Sequence, residues 1–181
     1  MQVDHSPVTI KDKQFEIYIS AEEISHCLSS LAHQLDDQYL NKDPLVLGIL
    51  NGSFMFVSDL VKRLDMDPEI SFIKLASYDG TQSTGKVNEL IGIKEDLRGR
   101  HVIVMEDIVD TGNTLEKIMH VLESHQPASL EICTLLYKPE AYKKSFPVKF
   151  IGKEIPNKFV VGYGLDYDGY GRTLEHIYQI I

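Results

Sequence analysis

Near the start of the chain, apolar and polar side chains first alternate and then change to a helical period. Residues 14–19 (QFEIYI) show the period of two that is typical of a strand with one buried face. Ser20 and Glu23 match the capping box that opens a helix. One face of the segment that follows is apolar, at Ile24, Leu28, Leu31 and Leu35. The pattern therefore predicts a strand that leads directly into an amphipathic helix.

The rest of the chain continues this succession of strands and helices. Residues 45–50 (LVLGIL) and 101–107 (HVIVMED) are short and almost continuously apolar, as strands buried in a parallel sheet are. Further strands are predicted at 70–77, 129–138 and 159–164, and helices near 54–64 and from the end of the 101–107 strand to about Ser124. We therefore predict one α/β domain over residues 1–181, with a mostly parallel central sheet flanked by helices.

A long polar segment with several glycines interrupts this pattern. Within it, residues 80–87 (GTQSTGKV) nearly match the phosphate-binding P-loop, but Val87 stands where that motif needs a hydroxyl, and no helical period follows. Long loops without a period of their own often close over active sites. We therefore expect a mobile lid at approximately 77–100 rather than a site for a nucleoside triphosphate.

Charge and composition exclude several classes of protein. The chain has 18 Lys+Arg and 27 Asp+Glu, a formal net charge of -9, which is unsuited to general nucleic-acid binding. No apolar run approaches the length of a membrane span, and the first residues lack the apolar stretch of a signal peptide. Cys27 and Cys133 lie within apolar patterns and are expected to be buried, reduced thiols. A cytoplasmic location is therefore expected, with no nucleic-acid or membrane partner.

Residues 102–115 (VIVMEDIVDTGNTL) concentrate acids and hydroxyls where a strand gives way to a helix. Glu106 and Asp107 are predicted to end the strand, at the edge of the sheet where α/β proteins bind ligands. Adjacent acids there suit either a solvated loop or the paired hydroxyls of a sugar with Mg²⁺ nearby. Residues 110–114 suit either an ordinary helix cap or a backbone site for a single phosphate. A phosphorylated ribose with Mg²⁺ accounts for both features together.

Three further features are ordinary when each is considered singly. Lys138 follows a strand, as a surface lysine often does, and the Phe159–Val160 pair is typical of a core. Residues 164–172 (GLDYDGYGR) are typical of a turn. Only their combination with the 102–115 segment points to a site.

Taken together, these segments resemble the type I phosphoribosyltransferases. Residues 102–115 resemble the signature that binds phosphoribosyl diphosphate (PRPP), and the similarity extends over roughly residues 10–181. The segments at 49–56, 76–85, 135–140 and 159–172 narrow it to the hypoxanthine (hypoxanthine-guanine) branch. The resemblance implies a small hood built from the N-terminal strand and the C-terminal segment. It also implies transfer of the phosphoribosyl group from PRPP to hypoxanthine or guanine, giving IMP or GMP and pyrophosphate.

The resemblance also implies roles on the ribose and phosphate side. Glu106 and Asp107 would hold the ribose hydroxyls and the associated Mg²⁺, and Asp110 would act as general acid/base toward N7 of the purine. The 5′-phosphate would be bound by Thr111, Gly112, Asn113 and Thr114.

On the purine side, Lys138 would contact O6, Phe159 would stack on the base, and the Val160 backbone would lie at its edge. Asp166 would bind a second Mg²⁺ and Arg172 would contact the pyrophosphate.

Two loops complete the implied site. Asn51 and Gly52 would form the pyrophosphate-binding turn, although many family members have lysine at the position of Asn51 and often a cis peptide before it. Ser77 and Tyr78 would begin the lid.

The resemblance also leaves alternatives. A PRPP-fold regulator without catalysis should carry a basic face or an added DNA-binding module, and this chain is acidic. A phosphoribosyltransferase for xanthine or adenine is the alternative among enzymes. A homodimer or homotetramer is implied by the resemblance.

Overall fold

The central sheet carries most of the fold. In the computed structural model, which describes residues 6–75, 90–91 and 93–181, its strands are β3 (Leu45–Ile49), β4 (Glu69–Leu75), β5 (Leu90–Ile91), β6 (His101–Val109), β7 (Ser129–Tyr137) and β8 (Val148–Glu154). Their order is β5-β4-β3-β6-β7-β8, and only the β4–β5 pair is antiparallel. The predicted α/β class with a mostly parallel sheet is confirmed.

Three helices cover the two faces of this sheet: α1 (Ala21–Tyr39), α2 (Phe54–Val61) and α3 (Asn113–Ser124). The capping box of α1 forms as predicted, since Ser20 and Glu23 bond to each other's backbone N–H groups. The core under α1 and α2 contains Ile103 and Met105, whereas the core under α3 contains Val102 and Val104. Alternate residues of β6 therefore face opposite cores, which explains why the strand is apolar at nearly every position.

A smaller antiparallel sheet joins the two ends of the chain. It consists of β1 (Val8–Ile10), β2 (Lys13–Ile19), β9 (Val160–Val161) and β10 (Ile177–Ile180), in the order β1-β2-β10-β9. The small sheet has its own core, which contains Ile10, Phe15, Val161 and Tyr178. Phe15 and Val161 are fully buried there. This sheet places the 159–172 segment beside the carboxyl end of the central sheet.

One predicted strand was too long, and β1, β5, β8 and β10 were not predicted. The strand expected at 159–164 contains only Val160–Val161, because Gly162, Tyr163 and Gly164 all have positive φ and turn the chain away. The strand β8 was not predicted, because Gly152 and its charged residues hide the apolar period.

Residues 76–89 and 92 fall outside the described part of the chain, and with them most of the segment for which a lid is predicted. The lid remains a prediction. Among the described residues, no helix is long and apolar enough to cross a membrane. Cys133 is buried and Cys27 partly buried, and both are free thiols.

Candidate functional site

The strand β6 extends two residues beyond its predicted end. Its pairing with β7 continues through Ile108 and Val109, so Glu106 and Asp107 lie inside the strand and are not its last residues. The sequence prediction was wrong here because acidic residues are unfavourable in a strand interior. Their position inside the ladder fixes both backbones on a rigid element.

The two acids form a buried pair at the carboxyl end of β6. Asp107 is 6% exposed, and Glu106 is partly buried. Burial and the neighbouring charge of Asp107 raise the pKa of Glu106 well above its ordinary value. Burial also raises the pKa of Asp107, although hydrogen bonds from Glu106 and from the Ile108 N–H, 2.9 Å from Asp107 Oδ1, oppose that rise. A cation at this pair would relieve the repulsion between the two carboxylates.

The residues present fit Mg²⁺ as a partner of bound substrate. In the described residues, no three His, Cys, Asp or Glu side chains form a cluster that could hold a metal alone. Mg²⁺ commonly takes only one or two carboxylates and completes its shell with water and phosphate oxygens. The Glu106–Asp107 pair therefore suits an ion that arrives with a phosphorylated ligand.

A turn beside β3 packs directly against this acid pair. The Leu50–Asn51 peptide is cis, and Gly52 follows it. A Cβ atom on Gly52 would collide with Asp107 Oδ2, and one on Gly164 would collide with the Gly52 carbonyl oxygen. Gly52 is thus enclosed between β6 and the 159–172 segment, and only glycine fits there. Asn51 is exposed, and its Oδ1 accepts a long hydrogen bond of 3.5 Å from Lys74 Nζ.

A cavity of about 280 Å³ lies between β6 and the start of α3. It is lined by Ile49, Leu50, Glu106, Ile108, Val109, Asp110, Thr111, Gly112, Asn113, Thr114 and Leu115. The sequence-predicted ribose and phosphate residues other than Asp107 therefore share one cavity.

The turn from β6 into α3 depends on Gly112. This residue is the N-cap of α3 at φ 75, and it has no side chain with which to cap the helix. The first intrahelical bond comes from Glu116 N–H, so the N–H groups of Asn113 to Leu115 have no partner within the helix. A Cβ atom at Gly112 would collide with the ring of Tyr142 behind it. The helix start can therefore hold an anion with backbone N–H groups.

Asp110 and Lys138 form an ion pair of 2.7 Å between Asp110 Oδ2 and Lys138 Nζ. Lys138 is only 6% exposed, so its interpretation as a surface lysine was wrong. The Asp110 side chain is 44% exposed and lines the cavity. A buried ammonium with three donors is thus held at the edge of the cavity through the carboxylate.

The small sheet contributes an aromatic face and a second ion pair. The Phe159 side chain is 46% exposed, contrary to a core position, and its ring meets that of Tyr167 edge-on at 5.9 Å. Val160 beside it is buried. Arg172 Nη2 lies 2.7 Å from Asp166 Oδ1. The charge of Arg172 also reaches Asp107, where it opposes the rise in pKa.

Two predicted residues, Ser77 and Tyr78, lie outside the described residues. Sequence reasoning also missed Asp59 and Tyr163, which bond to each other at 2.8 Å behind the Gly52 turn. The glycines that flank Tyr163 are the signal that could have identified a constrained turn there.

Comparison with known proteins gives consistent results. A family model of the phosphoribosyl transferase domain matches residues 19–168. The chain is 41% identical over 169 residues to hypoxanthine phosphoribosyltransferase of Escherichia coli (strain K12), covering 92% of this chain and 95% of that protein. It is 42% identical over 163 residues to hypoxanthine-guanine phosphoribosyltransferase of Staphylococcus aureus (strain Mu50), covering 90% of this chain and 91% of that protein.

Solved structures agree with these relatives. A crystal structure of a hypoxanthine phosphoribosyltransferase from Staphylococcus aureus superposes with a TM-score of 0.81 at 42% identity, covering 92% of this chain and 91% of that one. A crystal structure of the hypoxanthine phosphoribosyltransferase of Trypanosoma cruzi gives a TM-score of 0.81 at 32% identity, covering 91% of this chain and 95% of that one.

Proposed function

This chain belongs to the phosphoribosyl transferase family, and we propose that it transfers the 5-phosphoribosyl group of PRPP to hypoxanthine or guanine in a Mg²⁺-dependent reaction. The products are IMP or GMP and pyrophosphate, so the reaction salvages free purines. The observation that carries the proposal is the cavity that Glu106, Asp110 and the N-terminus of α3 share. It supports a site for a phosphorylated sugar next to a group that can exchange a proton.

The 5′-phosphate binds at residues 111–114, where the helix start offers N–H groups and two hydroxyls. The ribose hydroxyls face Glu106 and Asp107. These two acids would hold Mg²⁺, which would supply the positive charge that offsets them and polarises the pyrophosphate leaving group. The rigid β6 backbone holds both carboxylates where positive charge develops on the sugar as the bond to pyrophosphate breaks.

The purine is recognised by groups of opposite charge that already touch. Lys138 donates to O6, and Asp110 accepts the proton from N7 as the base forms its new bond to C1′. Their contact of 2.7 Å suits this assignment, because O6 and N7 are neighbours on the purine edge. The exposed face of Phe159 stacks on the ring, and the Val160 backbone lies at its far edge.

Pyrophosphate leaves toward the turn formed by Asn51 and Gly52. Arg172 would contact it, and Asp166, whose Oδ1 lies 2.7 Å from Arg172 Nη2, would hold a second Mg²⁺. In the free protein Asp166 Oδ2 accepts from the Gly169 N–H at 2.6 Å, which orients the carboxylate. A lid that would begin at Ser77 and Tyr78, which lie outside the described residues, is also part of the proposal and would keep water from PRPP.

The two free thiols suit a reducing compartment, and a cytoplasmic location is part of this proposal. So is assembly into a homodimer or homotetramer, which light scattering would test.

A purine panel tests the function. Purified protein with PRPP and Mg²⁺ is assayed for pyrophosphate release with hypoxanthine, guanine, xanthine and adenine. We expect turnover with the first two bases, weak turnover with xanthine and almost none with adenine. Binding of PRPP without turnover of any base would instead indicate a regulator, and fastest turnover with xanthine would indicate a xanthine enzyme.

A further inference from the structure

We propose that the hydrogen bond between Tyr163 and Asp59 positions the pyrophosphate side of the site. The Tyr163 hydroxyl donates to Asp59 Oδ2 at 2.8 Å, and Tyr163 is 5% exposed. Asp59 lies on α2, under the central sheet, whereas Tyr163 lies in the turn that follows β9 of the small sheet. The bond therefore ties helix α2, which packs on the central sheet, to the turn that follows β9 of the small sheet. This inference rests on the proposed function.

The turn that Tyr163 anchors touches both groups assigned to pyrophosphate. The Gly164 carbonyl accepts from Arg172 Nη1 at 2.6 Å, and the Gly164 N–H donates to the Arg172 carbonyl at 2.9 Å. On its other side, Gly164 packs so closely on the Gly52 carbonyl that no Cβ atom fits between them. Gly52 in turn supports the Asp107 carboxylate. The position of Gly164 thus sets the positions of Arg172 and of the Gly52 turn.

Tyr163 needs such an anchor because its backbone is unfavourable. It has φ 48, in the left-handed region that bulky L-residues avoid, so surrounding contacts must hold it there. A buried phenol also needs a partner for its hydroxyl. Asp59 provides a fixed one, because Lys62 Nζ lies 2.6 Å from its other oxygen, Oδ1. Loss of this bond frees the turn to shift relative to α2.

The purine groups are held independently of this bond. Asp110 and Lys138 directly follow β6 and β7 of the central sheet and pair with each other. Val160 is fixed by its pairing with Gln179 of β10. Removal of the tyrosine hydroxyl should therefore weaken the binding of pyrophosphate and of PRPP and leave the binding of the purine nearly unchanged. A merely structural role would weaken both.

The test uses Tyr163→Phe and Asp59→Ala in the full chain. Calorimetry measures the Kd for pyrophosphate with Mg²⁺, and kinetics measures KM for PRPP and for hypoxanthine. We expect the Kd for pyrophosphate and the KM for PRPP to rise about ten-fold, the scale of a hydrogen bond to a charged group. The KM for hypoxanthine should stay within about two-fold, well below that scale. The double variant should be no worse than either single one, because both remove the same bond.

Asp59→Asn keeps a hydrogen-bonding partner for the hydroxyl and should restore nearly wild-type affinity. Ser129→Ala is the matched control, since it removes the 2.8 Å contact with His101 at the opposite, amino ends of β6 and β7. It should not change pyrophosphate affinity.

Wild-type affinity for pyrophosphate in both Tyr163→Phe and Asp59→Ala would overturn the proposal. An equal rise in the Kd for pyrophosphate and the KM for hypoxanthine would overturn it too, because it would indicate that the whole site is distorted. Should Tyr163→Phe not fold, the contrast between Asp59→Ala and Asp59→Asn decides the same question. A wild-type protein that neither binds nor releases pyrophosphate would refute the proposed function instead.

Discussion

The 102–115 segment and the 159–172 segment form two sides of the site, and they hold their charges differently. On the first side, Glu106 and Asp107 stand together on a rigid strand, and burial raises the pKa of both. On the second side, Asp166 is paired with Arg172 at 2.7 Å. The first side is therefore prepared for a cation, and the second is already balanced.

Asp110 and Lys138 lie between these extremes. The pair is balanced, but one member is buried and the other largely exposed. A ligand that replaces part of this contact must present an acceptor to the ammonium and a proton to the carboxylate. The unpaired acids of the first side thus suit a cation, whereas the Asp110–Lys138 pair suits a ligand whose polar groups complement both charges.

The largest expected effect is at Asp110. Asp110→Ala should lower kcat by roughly 10²–10⁴, the usual range for a positioned acid/base. It should also lower the free energy of unfolding by about 1–3 kcal/mol, because Lys138 remains buried without its partner. Steady-state kinetics and thermal melts measure the two effects.

Asp110→Asn separates these effects, since the amide oxygen can still accept from Lys138 but no longer exchanges a proton. It should melt near the wild type and remain slow. Near-normal turnover by the asparagine variant would remove Asp110 from the proton transfer.

Lys138 has the next largest effect, on the choice of purine. Its ammonium offers only donors, so adenine would present an amino group to a donor, whereas hypoxanthine presents O6. Sites built around one polar partner reject its absence by about 10⁴. Lys138→Ala should lower kcat/KM for hypoxanthine by about 10²-fold, the scale of a lost hydrogen bond to a charged group. It should also reduce the ratio of kcat/KM for hypoxanthine to that for adenine. Full discrimination by the variant would refute the assignment to O6.

Sequence reasoning predicted the two sides unequally. The 102–115 segment is continuous, and its strand, glycine and acids are local features, so its site residues could be inferred directly. The burial of Lys138 and the exposure of Phe159 depend on neighbours distant in the chain, and both were misjudged when considered singly. The contacts of Gly52 with Asp107 and Gly164 join three segments and leave no local pattern. Tertiary packing decided these positions.

Glu106→Gln tests, through the pH dependence of Tm, whether the unpaired acids of the first side destabilise the fold. An acid whose pKa is higher in the folded state favours folding at low pH, and that contribution is lost as the pH rises from about 4 through the folded pKa. The glutamine variant removes this loss, so its Tm at pH 8 should exceed that of the ligand-free wild type by about 2–4 °C, the effect of about 1 kcal/mol. The gain should be much smaller at pH 4, where the acid is protonated in the folded state and largely protonated in the unfolded state.

The control for this prediction is Glu131→Gln, because Glu131 is paired with Lys149 at 3.1 Å. It should give no such gain at pH 8. Equal gains at pH 4 and pH 8 would show that packing, and not charge, distinguishes Glu106.

The smallest expected effect is at Lys74, an exposed cation beside the turn formed by Asn51 and Gly52. Its Nζ lies 3.5 Å from Asn51 Oδ1, so it brings positive charge to a turn whose own side chain is neutral. Lys74→Gln should raise the KM for PRPP about two- to five-fold at low ionic strength, as expected for an exposed charge interaction, and much less at high salt, where such interactions are screened. Asn51→Lys should lower the KM for PRPP, because it adds positive charge to the same turn. Lys149→Gln, on the opposite edge strand β8, serves as the control and should change nothing. An effect of Lys74→Gln that salt does not reduce would mean that Lys74 acts by holding the turn in place and not through its charge.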